Sequence, residues 1–241
     1  VKISSGGIRK MTEVMRLANK LVDEGLLEHN EYIELLSNRD DEVREYLRSK
    51  AQEIAVRNYG RDIFLRGLIE YSNICKNDCY YCGIRKSNND VERYRLSLEE
   101  ILSCCDIGYQ IGLRTFVLQG GEDPYFTDDM MCEIISSIKS HYPDCALTLS
   151  IGEKERESYK RYFEAGADRY LLRHETADAE HYRRLHPESQ SLENRMRCLD
   201  VLKDVGFQIG AGFMVGSPGQ TYDTMASDFE YLKKLKPHMI G

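Results

Sequence analysis

The chain has 241 residues, of which 41% are hydrophobic and 30% charged, and its 33 basic and 40 acidic side chains give a net charge of −7. This composition excludes a disordered chain, and the scattered basic residues argue against a nucleic-acid groove as the function. No apolar run approaches the ~20 residues of a membrane span, and residues 1–7 lack the apolar segment of a signal peptide, so we expect a cytoplasmic protein that is not bound to a membrane.

Residues 8–59 carry apolar side chains at helical spacing, beginning with Ile8, Met11 and Val14. Asp40 or Asp41 is expected to cap a second long helix that ends near Tyr59. This part of the chain contains no residue pattern typical of cofactor chemistry. We therefore predict an N-terminal helical extension over residues 1–60.

From Phe64 onward, short apolar runs alternate with amphipathic stretches, a pattern that predicts βα units and a parallel sheet. The expected strands cover residues 64–71, 115–119, 146–151, 169–173 and 208–215, with a sixth that begins at His238. The expected helices cover residues 97–112, 128–141, 155–165, 192–205 and 222–235. The glycines that follow three of these helices are predicted C-terminal caps: Gly112, Gly166 and Gly206.

Residues 61–241 thus predict an α/β fold, a TIM-type (β/α) barrel. A closed eightfold barrel needs about 250 residues, whereas five βα units and the start of a sixth strand are present here. We therefore expect a barrel that is incomplete at the C-terminus, in a fragment of a longer protein.

Three of the eight cysteines, Cys75, Cys79 and Cys82, lie within eight residues of one another. In a cytosolic chain this crowding indicates a metal site rather than disulfides. Zinc would take four ligands, and no fourth Cys or His lies close by. Three thiolates suit a 4Fe-4S cluster, because they leave one iron open to a small chelating molecule. The other five cysteines are expected to pack inside helices and strands: Cys104, Cys105, Cys132, Cys145 and Cys198.

Polar or glycine-rich segments follow each of the first five predicted strands, where the reactive groups of α/β barrels gather. The cysteine loop follows the first strand. The next segments are 120–124, 150–153, 173–176 and 210–216. We expect their side chains to face one common mouth.

The C-x3-C-x2-C spacing, with Tyr81 just before the last cysteine, and the Gly120-Gly121-Glu122 turn resemble the radical S-adenosylmethionine (SAM) enzymes. Within that superfamily, the chain from about Arg57 onward most resembles the HydE family of FeFe-hydrogenase maturases. The segments that carry this likeness are 66–73, 119–125, 169–176, 193–195 and 214–221. Gly120 and Ser217 depart from the family pattern, which often has Ser and Leu at these positions.

The resemblance implies that Cys75, Cys79 and Cys82 hold a 4Fe-4S cluster and that SAM is cleaved reductively to a 5′-deoxyadenosyl radical. It assigns the remaining cofactor contacts by residue: backbone carbonyls of Gly120, Gly121 and Glu122 for the methionyl amine, Arg195 for the carboxylate, Glu175 for the ribose, Tyr81 and Met214 for the adenine, and Ser150 and Arg173 as further contacts.

Several of these residues have a second interpretation. Arg195 suits a surface salt bridge, Glu175 and His174 suit capping of a following helix, and Arg173 suits an anionic substrate as well as SAM. His174 is also a candidate general base or metal ligand, although its alternation along the strand turns it away from the mouth. The aromatic residues nearby are expected to pack in the core or rim: Tyr125, Tyr170 and Phe213.

By the same resemblance, the substrate is a small organometallic complex, an Fe(CO)2(CN) unit attached to cysteine, used to assemble the diiron site of FeFe-hydrogenase. The implied partners are other hydrogenase maturases and a reductant such as flavodoxin or ferredoxin. Biotin synthase and methylornithine synthase remain alternative enzymes. A non-catalytic iron–sulfur scaffold or electron carrier is the alternative from another class, and it would bind a cluster without SAM.

Overall fold

The computed structural model describes residues 5–241, with side chains from residue 13 onward. The side chains of Ile8 and Met11, which began the predicted helical pattern, lie outside this description. The chain divides into two compact units, one formed by Val1–Phe64 and Gln220–Lys234 and the other by Leu65–Gly219 and Leu235–Gly241. The domain boundary expected at residue 60 stays a prediction.

Six strands form one sheet: β1 (Gly67–Ser72), β2 (Thr115–Gly120), β3 (Ala146–Ser150), β4 (Arg169–Leu171), β5 (Gln208–Ala211) and β6 (Met239–Ile240). The helices are α1 (Ser5–Glu24), α2 (His29–Ser37), α3 (Asp41–Tyr59), α4 (Leu98–Gln110), α5 (Asp128–His141), α6 (Arg156–Glu164), α7 (Ala179–Leu185), α8 (Leu192–Val205) and α9 (Tyr222–Leu235). Within the described residues, no helix combines the length and apolar character that crossing a bilayer requires.

The first unit contains α1, α2 and α3 together with nearly all of α9. Its buried core includes Val14, Leu27, Tyr32 and Ala226. The N-terminal segment forms three helices rather than the two expected, because the chain turns between α1 and α2. The predicted cap of the long helix is confirmed, since the Asp40 side chain accepts a hydrogen bond from the Glu42 backbone N–H at 2.8 Å.

His29 in the first unit lies between two carboxylates, with Nε2 3.0 Å from Asp223 and Nδ1 3.2 Å from Glu230. These two hydrogen bonds raise the pKa of His29 above its usual 6.5. The pKa of His29 is higher in the folded state than in the unfolded state, so its interaction with the two carboxylates stabilises the fold fully below pH 6.5. This stabilisation is lost as pH rises through the folded-state pKa. The His29 side chain is one-third exposed, so we expect these ion pairs to add only about 0.5 kcal/mol to the free energy of unfolding.

Urea unfolding of the wild type and His29→Gln between pH 5.5 and 8.5 measures this contribution. The stability difference between them should be largest at the acid end and should shrink toward pH 8.5. His141→Gln is the matched control, because His141 contacts the backbone carbonyl of Ser137 instead of a carboxylate. A difference that grows with rising pH would contradict the assignment.

The sheet of the second unit is parallel throughout, and its strands lie in chain order from β1 to β6. This is the βα succession of a (β/α) barrel, as predicted. The strand interiors are buried, with Phe116, Leu118, Leu147 and Leu149 fully enclosed. Because parallel strands share one direction, all their carboxyl ends meet at the same edge of the sheet.

Local signals account for most element boundaries in this unit. Ser97 and Glu100 form a capping box at the start of α4, and Thr127 and Ser191 cap α5 and α8. The three glycines predicted after helices all have positive φ angles, as C-terminal caps require.

Several expectations about this unit were wrong. β1 begins at Gly67 instead of Phe64, and β4 ends at Leu171 instead of Arg173. The segment 179–185 is a helix, α7, capped by the Asp178 side chain, although no helix was predicted there. β5 ends at Ala211 instead of Val215, and beyond it the pairing continues only as a single parallel bridge between Phe213 and Glu175. Cys104 is exposed and Cys132 half-buried, whereas Cys105, Cys145 and Cys198 are buried as expected.

Candidate active site at the carboxyl ends of the strands

A cavity of about 660 Å³ lies at the carboxyl edge of the sheet. Its lining includes all three clustered cysteines and every predicted cofactor contact except Met214: Tyr81, Gly120, Gly121, Glu122, Ser150, Arg173, Glu175 and Arg195. These residues come from the loops after β1, β2 and β4, from the last residues of β2 and β3, and from α8. Segments up to 120 residues apart in sequence therefore meet at one place.

The cysteines lie on the loop that follows β1, and all three are half-buried. Short-range hydrogen bonds hold this loop, with the Cys82 N–H donating to the Cys79 carbonyl at 3.0 Å. The Asn77 backbone N–H donates to the Cys75 sulfur at 3.4 Å. Backbone donors directed at sulfur are a usual feature of iron–sulfur sites, where they tune the cluster.

Burial raises the pKa of the Cys75 thiol, and it raises that of Cys79 to about 11 despite the nearby Arg195 guanidinium. Both thiols are therefore protonated at neutral pH in the metal-free protein. Binding of a metal centre would have to displace these protons.

The glycine turn after β2 packs directly against the cysteine loop. A Cβ atom at Gly121 would lie 2.3 Å from the Ile74 carbonyl oxygen and 2.7 Å from the Cys75 Cβ, so only glycine fits. The Lys76 N–H donates to the Glu122 carbonyl at 3.0 Å. That carbonyl keeps a second lone pair, so the turn can still accept a hydrogen bond from a ligand.

The Glu122 side chain is buried and joins three loops. Its carboxylate accepts the Glu153 backbone N–H at 2.9 Å and lies 3.1 Å from the Lys76 ammonium. Gly152 has φ +79°, and a Cβ there would overlap the Glu122 side chain. The loops after β1, β2 and β3 are thus held together by one carboxylate.

Asp123, the next residue, is buried beneath the turn. Burial alone would raise its pKa, but hydrogen bonds from Arg95 and Ser72, both at 2.7 Å, hold the pKa below its usual value. Arg95 also lies over the Tyr125 ring, 4.6 Å from its centroid. This charged network anchors the turn to the end of β1.

Arg195 is buried rather than engaged in a surface salt bridge. Its Nε donates to Glu153 at 2.5 Å and its Nη1 to the Arg173 carbonyl at 3.0 Å. Asn194 donates to the second oxygen of the same Glu153 carboxylate. The guanidinium is thereby fixed in orientation, while it still lines the cavity with donors to spare.

Glu175 is buried and is one of only two non-glycine residues with a positive φ angle in the described chain, at +67°. Such strained backbone costs about 1–3 kcal/mol and concentrates at functional sites. Burial raises the pKa of its carboxyl group, and the neighbouring Arg173, 3.4 Å away, opposes that shift. Among the described residues, its Oε2 atom has no hydrogen-bond partner, which leaves an acceptor for a ligand in the cavity.

The segment that follows α7 packs against the cysteine loop. His186 directs Nδ1 at the Tyr182 carbonyl, 3.0 Å away, so Nδ1 carries the hydrogen and Nε2 accepts from the Tyr81 hydroxyl at 3.1 Å. Burial lowers the pKa of His186 to about 4, so the ring is neutral. The Cys79 thiol donates to the Gln190 amide oxygen at 3.1 Å.

The remaining predicted residues are placed as follows. Ser150 ends β3 in register with Gln119, and Arg173 is half-exposed at the cavity. Met214 lies beside the cavity, where its N–H donates to the Glu175 carbonyl. His174 is buried and does not line the cavity. Tyr170 is a core residue, as expected, and its hydroxyl donates to the Gly152 carbonyl.

No three of the described His, Cys, Asp and Glu side chains converge closely enough to hold a single metal ion. A 4Fe-4S cluster makes a different demand, because each thiolate binds a different iron. Three half-buried thiols on one cavity wall, a glycine turn pressed against their loop and the open Glu175 oxygen fit such a cluster with a polar ligand beside it.

Two residues that contact the cysteine loop, His186 and Gln190, were not predicted. Glu153 belongs to the polar segment 150–153 that was expected at the mouth, but its bond to Arg195 was not predicted. His186 and Gln190 carry no local signal, because they reach the cysteine loop from about 100 residues away in sequence.

A sequence profile of the Radical SAM superfamily matches residues 69–232. The chain is 45% identical over 208 residues to the FeFe hydrogenase maturase subunit HydE of Thermotoga maritima, which covers 86% of this chain and 59% of that protein. It is 30% identical over 224 residues to the 3-methylornithine synthase of Methanosarcina barkeri, covering 91% of this chain and 63% of that one.

Among solved structures, methylornithine synthase PylB superposes with a TM-score of 0.84 at 28% identity, covering 93% of this chain and 66% of that one. The FeFe-hydrogenase maturase HydG from Carboxydothermus hydrogenoformans superposes with a TM-score of 0.82 at 27% identity, covering 95% of this chain and 56% of that one. The chain spans 59% and 63% of the length of the two curated relatives. Because the superfamily profile matches well over half of this chain, the protein belongs to the radical SAM superfamily.

Proposed function

We propose that this chain is the radical SAM part of an FeFe-hydrogenase maturase of the HydE type. In this proposal Cys75, Cys79 and Cys82 bind a 4Fe-4S cluster, and SAM occupies the adjoining cavity. The observation that carries the proposal is that the three cysteines and nearly all of the expected SAM contacts line the same cavity.

When bound, the cluster supplies the electron that cleaves the sulfonium C–S bond of SAM and yields a 5′-deoxyadenosyl radical. The protein orients and shelters the reactants. Backbone carbonyls of the 120–122 turn accept the methionyl amine, and the remaining donors of Arg195 bind the carboxylate. The free oxygen of Glu175 accepts the ribose hydroxyls, Tyr81 and Met214 border the adenine, and Ser150 and Arg173 complete the contacts.

The identity of 45% with a HydE supports this assignment over methylornithine synthase, at 30%, and over biotin synthase, at 25% in Staphylococcus haemolyticus. For the substrate we propose the small organometallic complex that the resemblance to HydE implies, with other maturases and a flavodoxin or ferredoxin as partners. An iron–sulfur scaffold is disfavoured, because it has no use for a buried arginine and a strained, buried glutamate beside the thiols.

The first test is electron paramagnetic resonance of the anaerobically reconstituted, dithionite-reduced protein with and without SAM. We expect a reduced 4Fe-4S signal that shifts when SAM is added. Glu175→Gln should keep the signal and need a higher SAM concentration for the shift, since only one ribose acceptor is altered. A cluster signal indifferent to SAM would support the scaffold function instead.

A second test addresses the substrate. The chain is added to an in vitro maturation mixture that contains the other maturases but no HydE, and hydrogenase activity is measured. Activity above the mixture alone supports the maturase assignment. Formation of 3-methylornithine in a parallel assay would instead assign the chain to the methylornithine synthases.

A further inference from the structure

Arg93 lies outside the cavity lining but is hydrogen-bonded to the loop that carries the cysteines. Its guanidinium donates to four backbone carbonyls, those of Asn73, Ile84, Arg85 and Asn88. The last three bonds measure 3.0, 2.8 and 2.8 Å. One half-buried side chain therefore connects the beginning of the loop with its end.

The two ends of this loop are also joined directly. The Asn73 side chain donates to the Glu92 carbonyl at 2.7 Å and accepts the Tyr94 N–H at 2.9 Å. Arg93 thus sits between two residues that pair with Asn73, and all three cysteines fall inside the closed segment 73–94. The bonds bracket the cluster ligands without touching them.

The cysteine loop has no regular secondary structure, so without Arg93 several of its carbonyls would rely on water or lie unpaired. Fixing each residue of the loop also costs about 1–2 kcal/mol of conformational entropy. A planar guanidinium with five donors can serve four carbonyls at once, whereas an ammonium offers only three donors in a different geometry.

We propose that Arg93 is a positioning residue that holds the cysteine loop in its cluster-binding conformation before the cluster arrives. This inference rests on the proposed cluster function, but the state of the loop in cluster-free protein can be measured separately. The function of Arg93 is then to lower the entropy lost when the three thiols converge on one cluster.

The experiment compares wild type, Arg93→Lys, Arg93→Ala and Lys86→Ala. Lys86→Ala is the matched control, because it removes one positive charge from the same loop at an exposed side chain. Hydrogen exchange of loop amides, including those of Lys76, Cys82 and Lys86, is measured in cluster-free protein, and iron content and the spectrum are measured after reconstitution. Thermal melting followed by circular dichroism verifies folding.

Both Arg93 variants should exchange these amides about tenfold faster than wild type, as expected for the loss of one or two net hydrogen bonds, and should lose most of their iron on reconstitution. Lys86→Ala should match wild type. Low millimolar guanidinium should restore the iron content of Arg93→Ala, whereas methylammonium should not. Only the planar guanidinium ion can take the place of the missing side-chain guanidinium and donate to the same carbonyls.

Equal exchange rates in Arg93→Ala and Lys86→Ala would overturn the proposal, as would full iron content in both Arg93 variants. If Arg93→Ala fails to fold, Arg93→Lys decides the question by the same measurements. If wild type itself binds no cluster, the proposed function fails, while the exchange rates still show whether Arg93 holds the loop.

Discussion

Replacement of Cys75 by alanine is expected to leave the protein without an intact 4Fe-4S cluster and without SAM cleavage. With three protein thiolates available, the loss of one leaves two irons without a protein ligand, and the cluster is no longer retained. Cys75 also presses against the glycine turn, so no other thiol can take its place without moving the loop. Iron and sulfide content after anaerobic reconstitution, with 5′-deoxyadenosine formation, measures the effect.

Cys198→Ala is the matched control. Cys198 is fully buried on α8, and its thiol contacts the Lys154 carbonyl at 3.8 Å. Its loss leaves a small cavity and should cost about 1 kcal/mol of stability, without loss of iron or SAM cleavage. Loss of the cluster in Cys198→Ala would refute the assignment of ligands.

Gly121→Ala is expected to disrupt the site nearly as strongly as Cys75→Ala, although it adds only one methyl group. The new Cβ would lie 2.3 Å from the Ile74 carbonyl oxygen, and backbone atoms cannot move aside as a flexible side chain can. The turn and the cysteine loop must then separate, at a cost of about 1–3 kcal/mol. We expect a lower melting temperature and loss of most of the iron.

Gly83→Ala tests whether this effect depends on position. Gly83 lies on the same loop, directly after Cys82, and nothing lies within 4 Å of a Cβ added there. This variant should keep both its stability and its iron. Full iron content in Gly121→Ala would show that close packing of the turn against Cys75 is not required for cluster binding.

Sequence patterns predicted the features that depend on neighbouring residues. The predicted cap at Asp40 acts within two residues, and the spacing of the three cysteines sets their placement on one loop. The alternation of apolar runs identified all six strands, because each strand must bury its side chains whatever its partners are. The parallel βα architecture followed from that alternation.

Features that depend on distant residues could not be predicted in this way. The extent of β5 is one of them, because its regular pairing stops at Ala211 and continues only as a single bridge between Phe213 and Glu175. The strained backbone of Glu175 and the four hydrogen bonds of Arg93 to backbone carbonyls could not be predicted either. Neither residue belongs to a local pattern that would indicate a positive φ angle or four carbonyl acceptors.

The sequence by itself determined the superfamily, the three-cysteine motif and the strand succession, because each of these is carried by residue type and short-range spacing. Only the tertiary structure decided the hydrogen bonds within the site. Glu153 bonds to Arg195, Gln190 bonds to the Cys79 thiol, and His186 bonds to the Tyr81 hydroxyl. These pairs span 42 to 111 residues. The folded sheet brings them together by aligning its strand ends, and no local pattern in the chain encodes such distances.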